Sequence, residues 1–307
     1  MIEAKVVLSV PGMKMTGMPH TTRPPIVNVT EAIPALAAHA RTAVRLHPRR
    51  GNPGPRDSSI GGPLWWPIDE PWPLCDRPHG PERSAGAPIA MVPVAQIYAT
   101  DVPAYPFPQG SDLLQILWCP IHGGYGPDET ISVRWRHAAD VSAVFAAPPV
   151  PHMVEESLIP VPCVLDPEPI TEYPYAEELP REIAVAIDDW EAGYPAYQYG
   201  LSIASGCKLG GGMAFNVTDM GEPPECGRCG APAHLILQLD SSEWGGESDH
   251  DGGPPRWRPV EDADLDASTD AYRAAREPTG LRVGRYSHGG FFGCSADHRH
   301  PATFHSQ

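Results

Sequence analysis

Residues 206–240 read GCKLGGGMAFNVTDMGEPPECGRCGAPAHLILQLD, and the order of features along them decides the fold. A glycine cluster follows an apolar residue and marks a sharp backbone turn, because glycine enters positive φ without a Cβ clash. Cys226-Gly-Arg-Cys229 comes next, a thiol pair on a Pro/Gly-rich knuckle. The run 233–239 is then apolar enough for a buried strand, with Gln238 inside it. The same order occurs earlier in Ser58-Ser-Ile-Gly-Gly-Pro63, Cys75-Asp-Arg-Pro-His79 and the strand-like run 89–97 with Gln96. The chain therefore reads as an internal duplication of a helix–Gly turn–strand unit. The expected fold is α+β, mainly antiparallel sheet, with both copies sharing one core in a compact pseudo-symmetric body.

Outward from these stretches the chain divides into a lead-in (1–24), a first repeat (25–150), a connector (151–175) and a second repeat (176–307). In the first repeat, Thr30 caps an amphipathic helix with Pro34 in its first turn. Ile33, Leu36, Ala37, Ala40 and Val44 form its apolar stripe, and Gly51 and Pro53 stop it. Strands are expected at 112–118 and 130–136, and the Pro-dense stretch 147–174 suits a connector. A second helix is expected at 180–190, with Ile183, Ile187 and Trp190 on one side. A surface helix is expected at 263–276, then a strand around Gly289-Gly-Phe-Phe.

Composition excludes several classes. With 38 acidic against 22 basic residues, the net charge of −16 argues against a nucleic-acid partner, which needs clustered Lys and Arg. The one basic run, 41–50, falls at the end of the expected helix, where cations complement the helix dipole. No window approaches the roughly 18 apolar residues of a membrane span, and no signal peptide is visible at the start. A cytoplasmic chain is expected, in which the seven Cys are reduced and available for metal or burial.

Zinc takes four tetrahedral thiolate and imidazole ligands, and C-x₂-C lets one knuckle supply two of them. The second repeat offers Cys226 and Cys229 with Cys294 and His298. The first offers Cys75 with His79 and Cys119 with His122, a looser pattern. Both sets would be closed, structural zinc sites, one or two ions in all. Cys163 and Cys207 have no counterpart across the repeat and are expected to be buried. A Cys207–His288 nucleophile can be drawn, but no spacing favours it. Asp188-Asp189 reads as a solvated helix face. The glycine clusters could cradle phosphate, yet neither fits a known fingerprint, and sharp turning towards the next strand explains them. Trp65, Trp66 and Trp72 could line a ligand cleft with Gln96 and Gln238, or cap the edge of a core. The two glutamines, if buried, would tie the halves together by satisfying turn backbone groups.

Ser59-Ile-Gly-Gly-Pro63 and Trp66-Pro67 with Gln96, and Lys208-Leu-Gly-Gly with Leu237-Gln238, resemble the YwqG-like family of bacterial domains. Actinobacterial members are similar also in Asp112-Leu-Leu-Gln-Ile-Leu-Trp-Cys-Pro120, Arg256-Trp-Arg-Pro-Val-Glu-Asp262 and Gly289-Gly-Phe-Phe. The resemblance covers about 30–307 and implies an α+β fold with internal duplication, without catalytic residues. This chain departs from it at Ser59-Ile60, where a Lys is usual, so any role of that Lys is absent from the first repeat. Some members lie near toxin–immunity genes, which implies by association a protein-neutralising role.

The functional expectation is a non-enzymatic protein-recognition module held by structural zinc, with a protein partner and no nucleic acid or membrane. Net acidity would suit a basic partner. The alternatives are a metal-dependent hydrolase or small-ligand binder using the Trp cleft, and a metal store or sensor.

Overall fold

A computed structural model describes residues 19–25, 27–78, 87–122, 130–145, 147–191, 197–214, 224–245 and 255–306. Strands dominate it in the following order. The first half carries β1 (Arg41–Arg45), β2 (Arg49–Arg50), β3 (Ser59–Ile60), β4 (Leu74–Cys75), β5 (Ile89–Ala90), β6 (Val92–Tyr98), β7 (Leu113–Trp118) and β8 (Ile131–Arg136). The second carries β9 (Cys163–Val164), β10 (Glu168–Glu172), β11 (Lys208–Gly210), β12 (Ala233–Asp240), β13 (His288–Cys294) and β14 (Thr303–Ser306). The fold is α+β and its sheets are antiparallel, as expected.

One six-stranded sheet has the order β10-β1-β11-β12-β13-β14 and the other β2-β9-β3-β6-β7-β8. Each sheet thus takes its second strand from the opposite half of the chain. In both, a buried glutamine faces the strand that opens the glycine turn: Gln96 lies opposite Ser59, and Gln238 opposite Lys208. Register shifts two residues before each glutamine, between Pro93 and Ala95 and between Leu235 and Leu237. Val44, Ile60, Val94, Leu114 and Trp118 pack with Cys207, Leu237 and Phe291 in one core that both sheets share.

Two stretches differ from the sequence reading. The first helix spans only Val29–Ala32, capped by the Asn28 side chain, which accepts from the Thr30 N–H at 3.2 Å. Pro34 has no N–H to offer and its ring crowds the preceding turn, so only a tight 3₁₀ turn, Pro34–His39, follows. Ala40 ends that turn and Val44, the far end of the stripe, belongs to β1 instead, where pairing on both edges satisfies the backbone that a short helix would leave half-used. Likewise, 151–175 contains β9 and β10 and runs through both sheets. Its prolines are tolerated because β10 is an edge strand, so Pro169 opposite Val44 costs little ladder bonding. The second helix, α2 (Arg181–Glu191), lies where the pattern put it and buries Ile183 and Ile187.

The glutamines fasten turns within their own sheets and do not bridge the halves. Gln96 donates to the carbonyls of Pro55 (3.0 Å) and Asp57 (3.2 Å) and accepts from the Trp65 N–H (2.6 Å). Gln238 donates to the Gly206 carbonyl (2.9 Å) and accepts from the Ala214 N–H (3.1 Å). What crosses between sheets is backbone. The Leu46 N–H donates to Cys207 and its carbonyl accepts from the Asp166 N–H, both at 2.9 Å.

Charged groups are buried around these crossovers. The basic run 41–50 is consumed here, with Arg45 fully buried on the Glu243 carbonyl (3.1 Å) and Arg49 paired with Asp262. Lys208 and Glu172, both fully buried, form an ion pair, and Glu172 also accepts from the Ala204 (2.8 Å) and Gly212 (3.0 Å) N–H groups. Breaking one side of such a pair costs about 3–5 kcal/mol, because it leaves an uncompensated charge in the interior. We expect Lys208→Met to lose about that much in urea unfolding, and Lys208→Met with Glu172→Gln to recover more than half of it. Equal losses in both would rule the pair out as the cause.

His47 is fully buried at φ 41°, its Nε2 3.0 Å from Glu168 Oε2. Burial pushes the imidazole down to about 4 despite that carboxylate. For Glu168 burial works upward, but hydrogen bonds from His47 and Thr22 outweigh it and hold the carboxyl down to about 2. Unfolded, the imidazole protonates near 6.5, so the unfolded state binds more protons throughout the window from pH 6.5 to 4. Stability should therefore fall as pH drops through that window, by up to ~1.4 kcal/mol per pH unit, and fall again below pH 4.5 as Glu168 titrates. His47→Asn tolerates the positive φ and should flatten the upper window. Thermal unfolding across pH checks it.

Candidate metal centre

The second-half thiols converge because β12 and β13 pair. Cys226 opens a tight knuckle in which the Cys229 and Gly230 N–H groups donate back to its carbonyl at 3.2 and 2.8 Å, with Gly230 at φ 69°. A bridge between Glu225 and Pro232 returns the chain into β12, and Ala233 then pairs with Cys294, the last residue of β13. The Ser295 N–H donates to Pro232 (3.1 Å), which fixes the end of β13 against the knuckle.

His300, not His298, is the side chain that joins the three thiols. The ligand atoms of Cys226, Cys229, Cys294 and His300 all lie within 4.8 Å of one another and could hold a metal ion. The Cys229 and Cys294 sulfurs stand 3.5 Å apart, and Cys226 Sγ is 3.5 Å from His300 Nδ1. The reason lies in the turn after β13. Asp297 accepts from the Arg299 N–H (3.0 Å) through its side chain and from the His300 N–H (3.0 Å) through its carbonyl. That turn carries His300 back over the sulfurs and leaves His298 in the wall of a neighbouring cleft. An Asp three residues before a His, at a turn, was the available signal. Arg299 grips the Asp297 carboxylate and holds it well below the usual carboxylate range, and His300 Nε2 lies 3.9 Å from that carboxylate.

The sulfurs sit among backbone amides. The Arg228 N–H points at Cys226 and holds its pKa below the ordinary thiol value. Burial works upward on Cys294, yet the amides of Asp297 and Ala296 outweigh it. Such amides favour thiolate, the form a metal needs.

In the first half Cys75, Cys119 and His122 also gather within 4.8 Å and could hold a metal ion. His79 lies outside the described residues. Cys75 pairs with Ile89 across β4 and β5, Cys119 follows β7, and its sulfur is 3.9 Å from His122 Nδ1. Burial pushes Cys75 up to about 12. Leu74 opposite Ala90 stands before β6 as Glu225 opposite Pro232 stands before β12.

Among the described residues, Trp66 and Trp72 pack in a core cluster and Trp65 is half-buried. Trp66 and Trp72 are buried against Cys75 and Cys119, ring centroids 5.4 Å apart, with their N–H groups spent on the Glu70 (3.2 Å) and Met91 (2.8 Å) carbonyls. Trp65 lies under Arg56, 4.2 Å from its guanidinium. Gln96 and Gln238 are also fully buried. Cys163 and Cys207 are buried apolar thiols as expected, and burial raises Cys207 well above the ordinary value. Among the described residues no helix is long and apolar enough to cross a membrane. No family model matches the chain, and no curated protein matches it.

We expect metal bound by the purified chain to fall by about one ion in Cys226→Ser and in His300→Ala, and to stay unchanged in His298→Ala. Elemental analysis of the three variants decides between the two histidines.

Proposed function

We propose that the chain is a non-enzymatic, cytoplasmic protein-recognition module of the YwqG-like kind it resembles, and that structural zinc pins its loops. The observation that carries this reading is the closed set of three thiols and one imidazole. Cys₃His is a zinc donor set, and four protein ligands leave no position for water or substrate. Trp66 and Trp72, two of the three Trp residues that an enzyme or small-ligand binder would have used, are spent in the core, and Trp65 lies half-buried under Arg56. We also read the two halves as copies of one unit, supported by the matched sheet orders, glutamines, bulges and knuckles. With catalysis set aside, a rigid surface is what the metal serves, and a protein-neutralising role of the immunity kind fits such a surface.

Chelation supplies the test. Removing zinc should unfold the second-half knuckle and abolish capture of a protein partner that, once purified, rebinds the loaded chain in the micromolar range or tighter. Metal-dependent turnover of a substrate by the purified chain would sink the proposal.

A further inference from the structure

β8 is the outer strand of its sheet, bonded only to β7. The Cys119 N–H donates to the Thr130 carbonyl and the Asp112 N–H to the Arg136 carbonyl, both at 2.8 Å, so the even-numbered residues of β8 turn their backbone towards β7. By antiparallel alternation, the N–H and C=O groups of Ile131, Val133 and Trp135 face the opposite way. On that side lies a cleft of about 380 Å³, walled by 131–135 on one flank and 298–302 on the other. Its floor includes Ile236 and Gly293.

The cleft carries the opposite charge to the molecule. In a chain of net charge −16, the charged side chains of its lining are Arg134 and Arg299, with no Asp or Glu. Acidic groups stand just outside it: Glu70 lies 3.4 Å from Arg134, and Asp297 2.8 Å from Arg299. Arg134 and Arg299 are 45% and 79% exposed; Arg299 holds Asp297 through Nε and Nη2, and each guanidinium keeps further N–H groups that a ligand carboxylate can take.

We infer that β8 docks an extended, acidic segment of a partner protein as an added strand, seated between β8 and the 298–302 segment. This rests on the protein-recognition reading and names the partner's chemistry, which is opposite to the basic partner that net charge suggests. Main-chain bonds to Ile131, Trp135 and the Val133 N–H supply affinity, the Val133 carbonyl already accepting from Arg134 Nη1 at 3.2 Å, and the arginines select carboxylates. Five residues of strand offer ~17 Å of edge, enough for a short linear motif. The far wall is held by the metal cluster through His300, so metal binding shapes the groove.

The experiment is a random-peptide display selection on the metal-loaded full chain, followed by titration of the best peptide. Asp/Glu-rich peptides should be enriched, and their binding should weaken as salt rises. Val133→Pro removes an outward N–H without touching the β7 ladder and should weaken binding ~10-fold or more, and Arg134→Glu should do the same. Val185→Ser, on the exposed face of α2, should change nothing. If Val133→Pro fails to fold, N-methylation of alternate peptide residues must abolish binding of the unaltered protein. Enrichment of basic peptides, absence of enrichment, or indifference to both blocks overturns the inference. Zinc content and partner capture through another face would survive that outcome, so the two readings fail separately.

Discussion

Neither sheet of this protein is complete without a strand from the other half of the chain. β1 lies between β10 and β11, and β9 lies between β2 and β3. A half on its own would expose a gap in its sheet and lose hydrogen bonds on both sides of it. The exchange therefore forces the two halves to fold as one cooperative body around the shared core. It also explains why the short stretches linking β1 to β2 and β9 to β10 are so tightly determined. They must carry the chain from sheet to sheet through the interior, where each backbone group needs a partner.

The buried charges follow from that crossing. Arg45 lies beside the passages, with the buried imidazole of His47 on the half-buried Glu168, and Lys208 and Glu172 lie where the exchanged strand β1 meets its neighbours. An apolar filling would have been adequate for stability. Hydrogen-bonded ions instead fix one geometry, because only one arrangement satisfies the Ala204 and Gly212 amides, the Lys208 ammonium and the Glu172 carboxylate together. At the periphery Cys226, Cys229, Cys294 and His300 gather and could hold a metal ion. These four side chains come from a knuckle before β12 and from the end of β13 with the turn after it, which the Ser295–Pro232 hydrogen bond already holds together.

The candidate metal site was legible where ligands sit on local, sharply punctuated segments. C-x₂-C between Pro and Gly has one plausible geometry, and Cys294 at a strand end was placed by the pairing of two apolar runs. The choice between His298 and His300 was not legible, because both follow within one turn of Cys294 and the direction of that turn depends on how Asp297 is bonded. The tryptophans were ambiguous for the same kind of reason. A Pro-flanked Trp can face a cleft or a core, and only the neighbouring Cys75, Cys119 and Met91 settle which.

From the sequence alone came the α+β class, the antiparallel pairing of the long apolar runs, the buried glutamines and the two gatherings of soft ligands. Each is written in residues close together along the chain, where turn chemistry and side-chain periodicity act directly. The tertiary structure alone decided that 41–45 is a strand, that the Pro-rich 151–175 stretch belongs to both sheets, and that Arg45 and His47 of the basic run are buried. Those outcomes depend on partners more than a hundred residues away. Local propensity carries no information about an edge waiting elsewhere to be paired.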